Sequence, residues 1–306
     1  MRDRHPVTDW ATDFDHLDPR WIEDPFPIWD ELRRSCPVAH TSRFQGVYFP
    51  TRYEDIRQIA YDTEHFSSRR VQVRETPPPV KSPAPPITSD PPHHRAARMV
   101  LLPQFTPEAI NKLIPTTRMI CNDLIDRFIG DETCDAAVDF AQHIPVRVIA
   151  GMLGLPPSDG EMFRGWVHGL VEEAILDDAT MVRTLSEMTA YLLDHVEQRR
   201  RSPADDLISY LAADRIDGAP LTDNHILGTL RLLLIAGIDT TWSGIGACLW
   251  HLAKTPADRR RLVAEPALMQ TAIEEFLRAY SPVTMARLVA KDTVVGGCPY
   301  EKGQMV

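Results

Sequence analysis

An acidic and an alcohol side chain are neighbours in the middle of the most apolar run of this chain. Asp239 and Thr240 follow Ala236 and Gly237 within residues 232–252. A buried carboxyl group is costly unless it is satisfied, so the pair has either structural partners or a chemical task. On the structural interpretation, Thr240 bonds back to its own helix and Asp239 pairs with a distant arginine. On the functional interpretation, the small residues before the pair admit a flat ligand or an oxygen molecule, and the pair relays protons.

Cationic side chains in two other segments could hold an anion. His94 and Arg98 follow an Asp-Pro-Pro turn and are four residues apart, so they share one face of a predicted helix. Arg287 lies in an otherwise apolar stretch. Converging cations bind carboxylates or phosphates through charge-assisted hydrogen bonds, whereas arginine is not a metal ligand. These residues predict an anion clamp, and the structural alternative is a solvated basic turn.

An opposite-charge pair, Glu275 and Arg278, lies one helical turn apart, just before Tyr280-Ser281-Pro282-Val283. Pairs at this spacing are common on helix surfaces. The pair Glu275 and Arg278 differs from the other pairs in its position along the chain. Four other pairs with the same spacing are interpreted as ordinary solvated faces: Glu31/Arg34, Glu54/Arg57, Glu161/Arg164 and Glu197/Arg200.

Mostly helical segments must position these residues. Apolar side chains recur at helical spacing in segments 107–129, 140–152, 158–176, 179–200, 222–253, 256–264 and 266–280. After Ser281-Pro282 the pattern is typical of strands around a Gly296-Gly297 turn. The proline-rich stretch 76–92 is either a domain linker, which its composition favours, or a long loop that forms part of a binding-site wall. The sequence therefore predicts a mainly α fold with small β-sheets.

The composition excludes several classes of protein. A formal net charge of −10 gives no general attraction to nucleic acid. The five cysteines are scattered and lack a C-x-x-C motif, which argues against a zinc knuckle or a disulfide framework and favours a reducing cytoplasm. Residues 232–252 are long enough for a membrane span, but Asp239 at the centre favours a buried helix of a soluble protein, with no membrane partner.

In order and spacing, these motifs resemble the soluble bacterial branch of the cytochrome P-450 superfamily of haem monooxygenases. The resemblance covers essentially the whole chain. It implies that Thr240 is the alcohol of the oxygen-activating stretch and that Asp239 is its acid partner. It also implies that Ala236 and Gly237 lie against the haem.

The same resemblance assigns the charged motifs. It implies that His94, Arg98 and Arg287 bind the haem propionates. Glu275 and Arg278 would form a buried ion pair that steadies the core on the proximal side of the haem.

The activity that the resemblance implies is insertion of one oxygen atom from O2 into a small organic substrate, with electrons from NAD(P)H. The implied cofactor is haem b, iron protoporphyrin IX. Residues 235–243 and 250–253 are similar to the self-sufficient bacterial group, whose fused reductase carries FMN and a 2Fe-2S cluster. Related thiocarbamate-degrading enzymes have no such fusion, so the electron donor is either a separate ferredoxin with its reductase or a fused reductase domain.

One motif of the family does not occur in this sequence. The family ligates its iron through the cysteine of a Phe-x-x-Gly-x-x-x-Cys-x-Gly loop, and none of the five cysteines has this context. Cys298, in Gly296-Gly297-Cys298-Pro299-Tyr300, resembles the family's hairpin instead. We therefore expect residues 1–306 to be an incomplete cytochrome P450 haem domain whose C-terminal part is missing, with the iron-ligating cysteine beyond Val306 and no metal ligand before it.

This departure has a functional consequence. A thiolate ligand donates the electron density that favours O–O cleavage. We therefore expect the 306 residues alone to be inactive and poorly stable. The alternatives are a haem-free or non-catalytic small-molecule-binding remnant, and a helical scaffold without a ligand. The scaffold would leave Asp239, His94, Arg98 and Arg287 without a shared purpose.

Overall fold

The computed structural model describes residues 5–76, 78–175 and 177–306. These residues form two compact units. The first contains residues up to 83, residues 87–94 and residues 285–306. The second contains residues 84–86 and 95–284.

Helices make up most of the fold, as predicted. In chain order they are α1 (Pro19–Glu23), α2 (Phe26–Ser35), α3 (Tyr53–Tyr61), α4 (His93–Leu101), α5 (Pro107–Asn111), α6 (Ile114–Phe128), α7 (His143–Leu153), α8 (Gly160–Val171), α9 (Asp178–Arg201), α10 (Leu207–Ala213), α11 (Asp223–Lys254), α12 (Pro256–Ala264) and α13 (Met269–Ala279). The prediction of one helix over 107–129 is wrong, because the ring of Pro115 cannot continue a helix and starts α6 instead. The last residue of the predicted segment 158–176 lies outside the described residues.

Short antiparallel strand pairs complete the fold. The strands are β1 (Val38–Thr41), β2 (Val47–Pro50), β3 (Phe66–Ser67), β4 (Arg215–Ile216), β5 (Ala219–Pro220), β6 (Leu288–Val289), β7 (Thr293–Val295) and β8 (Cys298–Tyr300). The pairs are β1–β2, β3–β6, β4–β5 and β7–β8. The predicted hairpin around Gly296-Gly297 is confirmed, with both glycines at positive φ. The fold is therefore mainly α with small β-sheets.

Each unit has its own apolar core. The first unit packs Phe14, Trp21 and Leu32 against Phe44 and the β1–β2 ribbon. In the second unit, the N-terminal half of α11 packs against α7 and α9. The last fully buried residue of this helix is Ile238. Beyond that residue α11 is only partly covered. This helix is long and apolar enough to cross a membrane by length and composition, a test that core helices of soluble proteins also pass.

Part of the proline-rich stretch is packed against α11. The buried hydroxyl of Thr229 donates to the carbonyl oxygen of Pro85 at 3.2 Å, and residues 84–86 belong to the second unit. The composition favoured a domain linker, and that interpretation is wrong for these residues, because a buried hydrogen bond fixes them to a core helix. Pro77 lies outside the described residues.

Asp206 joins the end of α9 to the start of α10. It caps α10 by accepting from the backbone amide of Ser209 at 2.8 Å, and it also accepts from Nε of Arg199. A second nitrogen of Arg199 donates to the carbonyl oxygen of Gly154 at 2.8 Å. Burial raises the pKa of Asp206, but the Ser209 and Arg199 hydrogen bonds outweigh it and hold the pKa below its ordinary value.

Asp206→Asn should lower stability at neutral pH and make it less sensitive to acid. A carboxyl whose pKa is lower in the folded state stabilises the fold above its unfolded pKa, about 3.9, and loses this contribution as the pH falls through the folded value. Asparagine keeps the cap acceptor and removes the charge. Urea denaturation at pH 7 and pH 3 measures the effect. An equal stability loss at both pH values would contradict it.

Candidate active site

The middle of α11 carries the acid and alcohol side chains. The hydroxyl of Thr240 donates to the carbonyl oxygen of Ala236 at 2.9 Å, so the back-bonding interpretation of this residue is realised. This bond uses the hydroxyl proton and leaves the oxygen's lone pairs free to accept. Ala236 is exposed and Thr240 is partly exposed, four residues apart on one face. This face of α11 is therefore open and nearly without bulk.

Gly237 lies on a different side of the helix. A Cβ atom added to it would lie 3.2 Å from Cγ1 of Ile149, a residue of α7. The space left by the missing side chain is thus filled by Ile149. Ile149 therefore covers the α7 side of Gly237, and the expectation that a ligand approaches the backbone at Ala236 and Gly237 stays a prediction. The open approach to α11 is at Ala236.

Asp239 is half-buried in an environment that favours its neutral form. Burial raises the pKa of its carboxyl group, the nearby negative charge of Glu172 raises it further, and a hydrogen bond with the Trp242 side chain acts in the opposite direction. No arginine pairs with Asp239 among residues 5–76, 78–175 and 177–306. The raised pKa suits a group that holds and releases a proton. Sequence analysis missed Glu172 and Trp242; Glu172 lies just after α8, so no periodic pattern relates it to Asp239.

The three predicted cations have no carboxylate partner in the part of the chain that the structure describes. His94 and Arg98 lie four residues apart on α4, where His94 is partly exposed and Arg98 is exposed. Arg287 belongs to the first unit, where its backbone amide donates to the carbonyl oxygen of Val306 at 2.6 Å and its Nη1 donates to that of Ala286 at 2.9 Å. A cation without a counter-ion suits an acidic propionate, and the open face of α11 at Ala236 suits a flat ring, so the residues of each unit, taken separately, are compatible with haem.

Glu275 and Arg278 form a two-bond ion pair on α13, with distances of 2.7 Å and 2.6 Å. The resemblance implied that this pair is buried, but 60% and 71% of the two side chains are exposed. That expectation is wrong for this structure, because α13 has no buried residue to bring the pair into a core.

A cavity of about 360 Å³ adjoins this ion pair within the second unit. Its lining includes His251, whose ring nitrogens lie 2.8 Å from the Tyr280 hydroxyl and 2.9 Å from a carboxylate oxygen of Asp258. The bonds of His251 tie the end of α11 to α12 and to the residue that follows α13. Sequence analysis did not single out His251, because its partners lie outside α11.

Comparison with known proteins agrees with this fold. Residues 161–306 match the sequence model of the family Cytochrome P450. The putative cytochrome P450 YjiB of Bacillus subtilis is 32% identical, over 92% of this chain and 72% of its own length. Vitamin D(3) 25-hydroxylase of Pseudonocardia autotrophica is 33% identical, over 93% and 72%. The solved structure of CYP109Q5 from Chondromyces apiculatus superposes with a TM-score of 0.87 at 32% identity, covering 97% of this chain and 76% of that one.

The chain belongs to the cytochrome P450 superfamily and resembles its bacterial members. The predicted family and fold are therefore confirmed. The family consists of haem-dependent monooxygenases, so its cofactor is haem.

Proposed function

We propose that this chain forms the haem-binding part of a bacterial monooxygenase that inserts one oxygen atom from O2 into a small organic substrate. The observation that carries the proposal is the half-buried Asp239, with its raised pKa, beside Thr240 on the open face of α11. Relatives with hydroxylase names, including erythromycin C-12 hydroxylase of Saccharopolyspora erythraea, support an organic substrate.

In this proposal the bound haem supplies oxygen activation and electron transfer, and the chain supplies orientation and protons. His94, Arg98 and Arg287 hold the propionates by charge-assisted hydrogen bonds. Asp239 holds a proton at its carboxyl oxygen more readily than an exposed aspartate does, because burial raises its pKa. The Oγ1 atom of Thr240 keeps lone pairs that can accept a hydrogen bond from a neighbouring proton donor. The pair thereby orients the protons that the reaction consumes.

We further propose that the electrons come from NAD(P)H, in a cytoplasmic protein. They would arrive through a ferredoxin and its reductase or through a fused reductase domain with FMN and a 2Fe-2S cluster. The similarity of residues 235–243 to the self-sufficient group does not decide between these two forms, because related enzymes without the fusion share it. Titrating the protein with reduced ferredoxin and following haem reduction tests the separate form.

Three of the five cysteines of this chain have thiols that do not suit iron ligation. Burial raises the pKa values of Cys121, Cys248 and Cys298, which disfavours the thiolate that the iron needs. We propose that residues 1–306 alone do not turn over substrate. A carbon monoxide difference spectrum of thiolate type from these residues would contradict this. Reading the coding DNA beyond the Val306 codon tests whether a thiolate loop belongs to the same protein.

Arg98→Ala and Arg287→Ala should each weaken haem binding about tenfold. A hydrogen bond to a charged group contributes about 1.5–3 kcal/mol, and about 1.4 kcal/mol corresponds to a factor of ten. Titration of the apoprotein with haem, followed by Soret absorbance, measures the affinity without any turnover. Arg127→Ala, on the exposed side of α6, is the matched control and should bind haem as the wild type does. Unchanged affinity in both site variants would refute the propionate role.

A further inference from the structure

Two arginines and a histidine lie near one another beside the first turns of α7 and α8, in the second unit. His143 and Arg147 are four residues apart on α7 and share a face, and Arg164 lies one turn into α8. The two helix starts are in contact, since a Cβ atom added to Gly160 would lie 3.1 Å from Cγ1 of Val146. Burial lowers the pKa of His143, the nearby positive charges of Arg164 and Arg147 lower it further, and the negative charge of Glu161 acts in the opposite direction. His143 is therefore favoured in its neutral form, with two arginine charges close to it.

Arg164 has too few acceptors for its guanidinium group. Nη2 donates to the carboxylate of Glu161, but Nε and Nη1 are buried and have no hydrogen-bond partner among the described residues. The sequence indicated an ordinary solvated pair at Glu161 and Arg164; this is wrong, because only 23% of the Arg164 side chain is exposed. Buried donors of a charged group are costly to leave unpaired, so these two atoms need an acceptor.

A small oxyanion supplies what this cluster lacks. Glu161 balances one of the two arginine charges, which leaves a net positive charge between two helices. A tetrahedral phosphate offers acceptor oxygens in several directions, as donors from both α7 and α8 require, whereas a planar carboxylate offers them in one plane. None of these residues belongs to the candidate active site on α11.

We propose that His143, Arg147 and Arg164 form a binding site for an oxyanion of the phosphate class. The site is separate from the haem-binding residues and holds the N-terminal turns of α7 and α8 together when it is filled. It therefore couples phosphate concentration to the stability of the second unit.

Isothermal titration of the 306-residue protein with inorganic phosphate tests the site, in parallel with chloride at matched ionic strength. We expect saturable phosphate binding and a phosphate-specific rise in melting temperature. Arg164→Gln should weaken the binding at least about tenfold, since it removes a charge-assisted contact. Arg147→Gln gives a second test if Arg164→Gln does not fold by circular dichroism. Arg259→Gln, exposed on α12, is the matched control and should bind as the wild type does.

Two outcomes would overturn the proposal. The first is a wild-type protein that responds to phosphate no more than to chloride, which would mean that water satisfies the Arg164 donors. The second is phosphate binding of equal strength in the wild type, Arg164→Gln and Arg147→Gln. Haem titration of the same variants should be unchanged, so failure of this site leaves the proposed monooxygenase function untouched.

Discussion

Alanine at position 154 is expected to lower the free energy of unfolding of the second unit by about 2 to 5 kcal/mol. Gly154 ends α7 in the left-handed conformation, with φ of +72°. A Cβ atom added there would lie 2.6 Å from Cβ of Asp206. Asp206 cannot move aside cheaply, because it caps α10 and accepts from Arg199. Backbone strain and steric overlap therefore act together.

Gly218→Ala separates these two causes. Gly218 has φ of +81° in the turn between β4 and β5, and a Cβ atom added there would meet nothing within 4 Å. The Gly218→Ala variant should therefore lose free energy of unfolding only through backbone strain, by about 1–2 kcal/mol. Urea denaturation followed by circular dichroism compares the two variants at one pH. Equal losses for Gly154→Ala and Gly218→Ala would show that Asp206 does not crowd position 154.

Hydrophobic periodicity and end signals predict the long helices well. The predicted segments 179–200, 222–253 and 256–264 differ from α9, α11 and α12 by one residue or less at each end. The reasons are local. Asp177 and Thr222 cap the first two helices through their side chains, and Pro256 starts the third. Each signal lies within a few residues of the helix end that it fixes.

The failed predictions depend on contacts between distant parts of the chain. The i,i+3 spacing is the same at Glu161/Arg164 and at Glu275/Arg278, yet two nitrogen atoms of Arg164 are buried whereas most of Arg278 is exposed. Spacing within a helix reports which residues share a face and does not report what covers that face. The packing of Ile149 against Gly237 is likewise not visible in helical spacing, since the two residues lie on different helices.

The acid on α11 was predicted from its residue type, but the factors that tune it were not. Burial of Asp239 follows from the apolar run around it. The charge of Glu172 comes from the residue after α8, and its effect emerges only when α8 packs on α11. Motif order therefore predicts candidate residues for the chemistry, and packing determines the proton affinity of the acid among them.

Asp239→Asn should reduce turnover about a hundredfold in the protein encoded by the whole reading frame, while haem and substrate affinities stay close to those of the wild type. General acid catalysis contributes about 10²–10⁴-fold, and asparagine cannot carry the proton. Because the protonated carboxyl is the donor, wild-type turnover should fall as the pH rises through the pKa of Asp239. Steady-state rates of product formation and of NAD(P)H consumption across pH measure both effects.

Glu172→Gln distinguishes a proton-delivering Asp239 from a merely structural one. Glu172 raises the pKa of Asp239, so its neutralisation should lower that pKa and move the alkaline fall in turnover to lower pH. A structural role for Asp239 would leave the pH profile in place. Asp126→Asn, on the exposed side of α6, removes an equal charge and should change neither rate nor profile. Wild-type turnover in Asp239→Asn would contradict proton delivery by Asp239, because asparagine at this position carries no acidic proton.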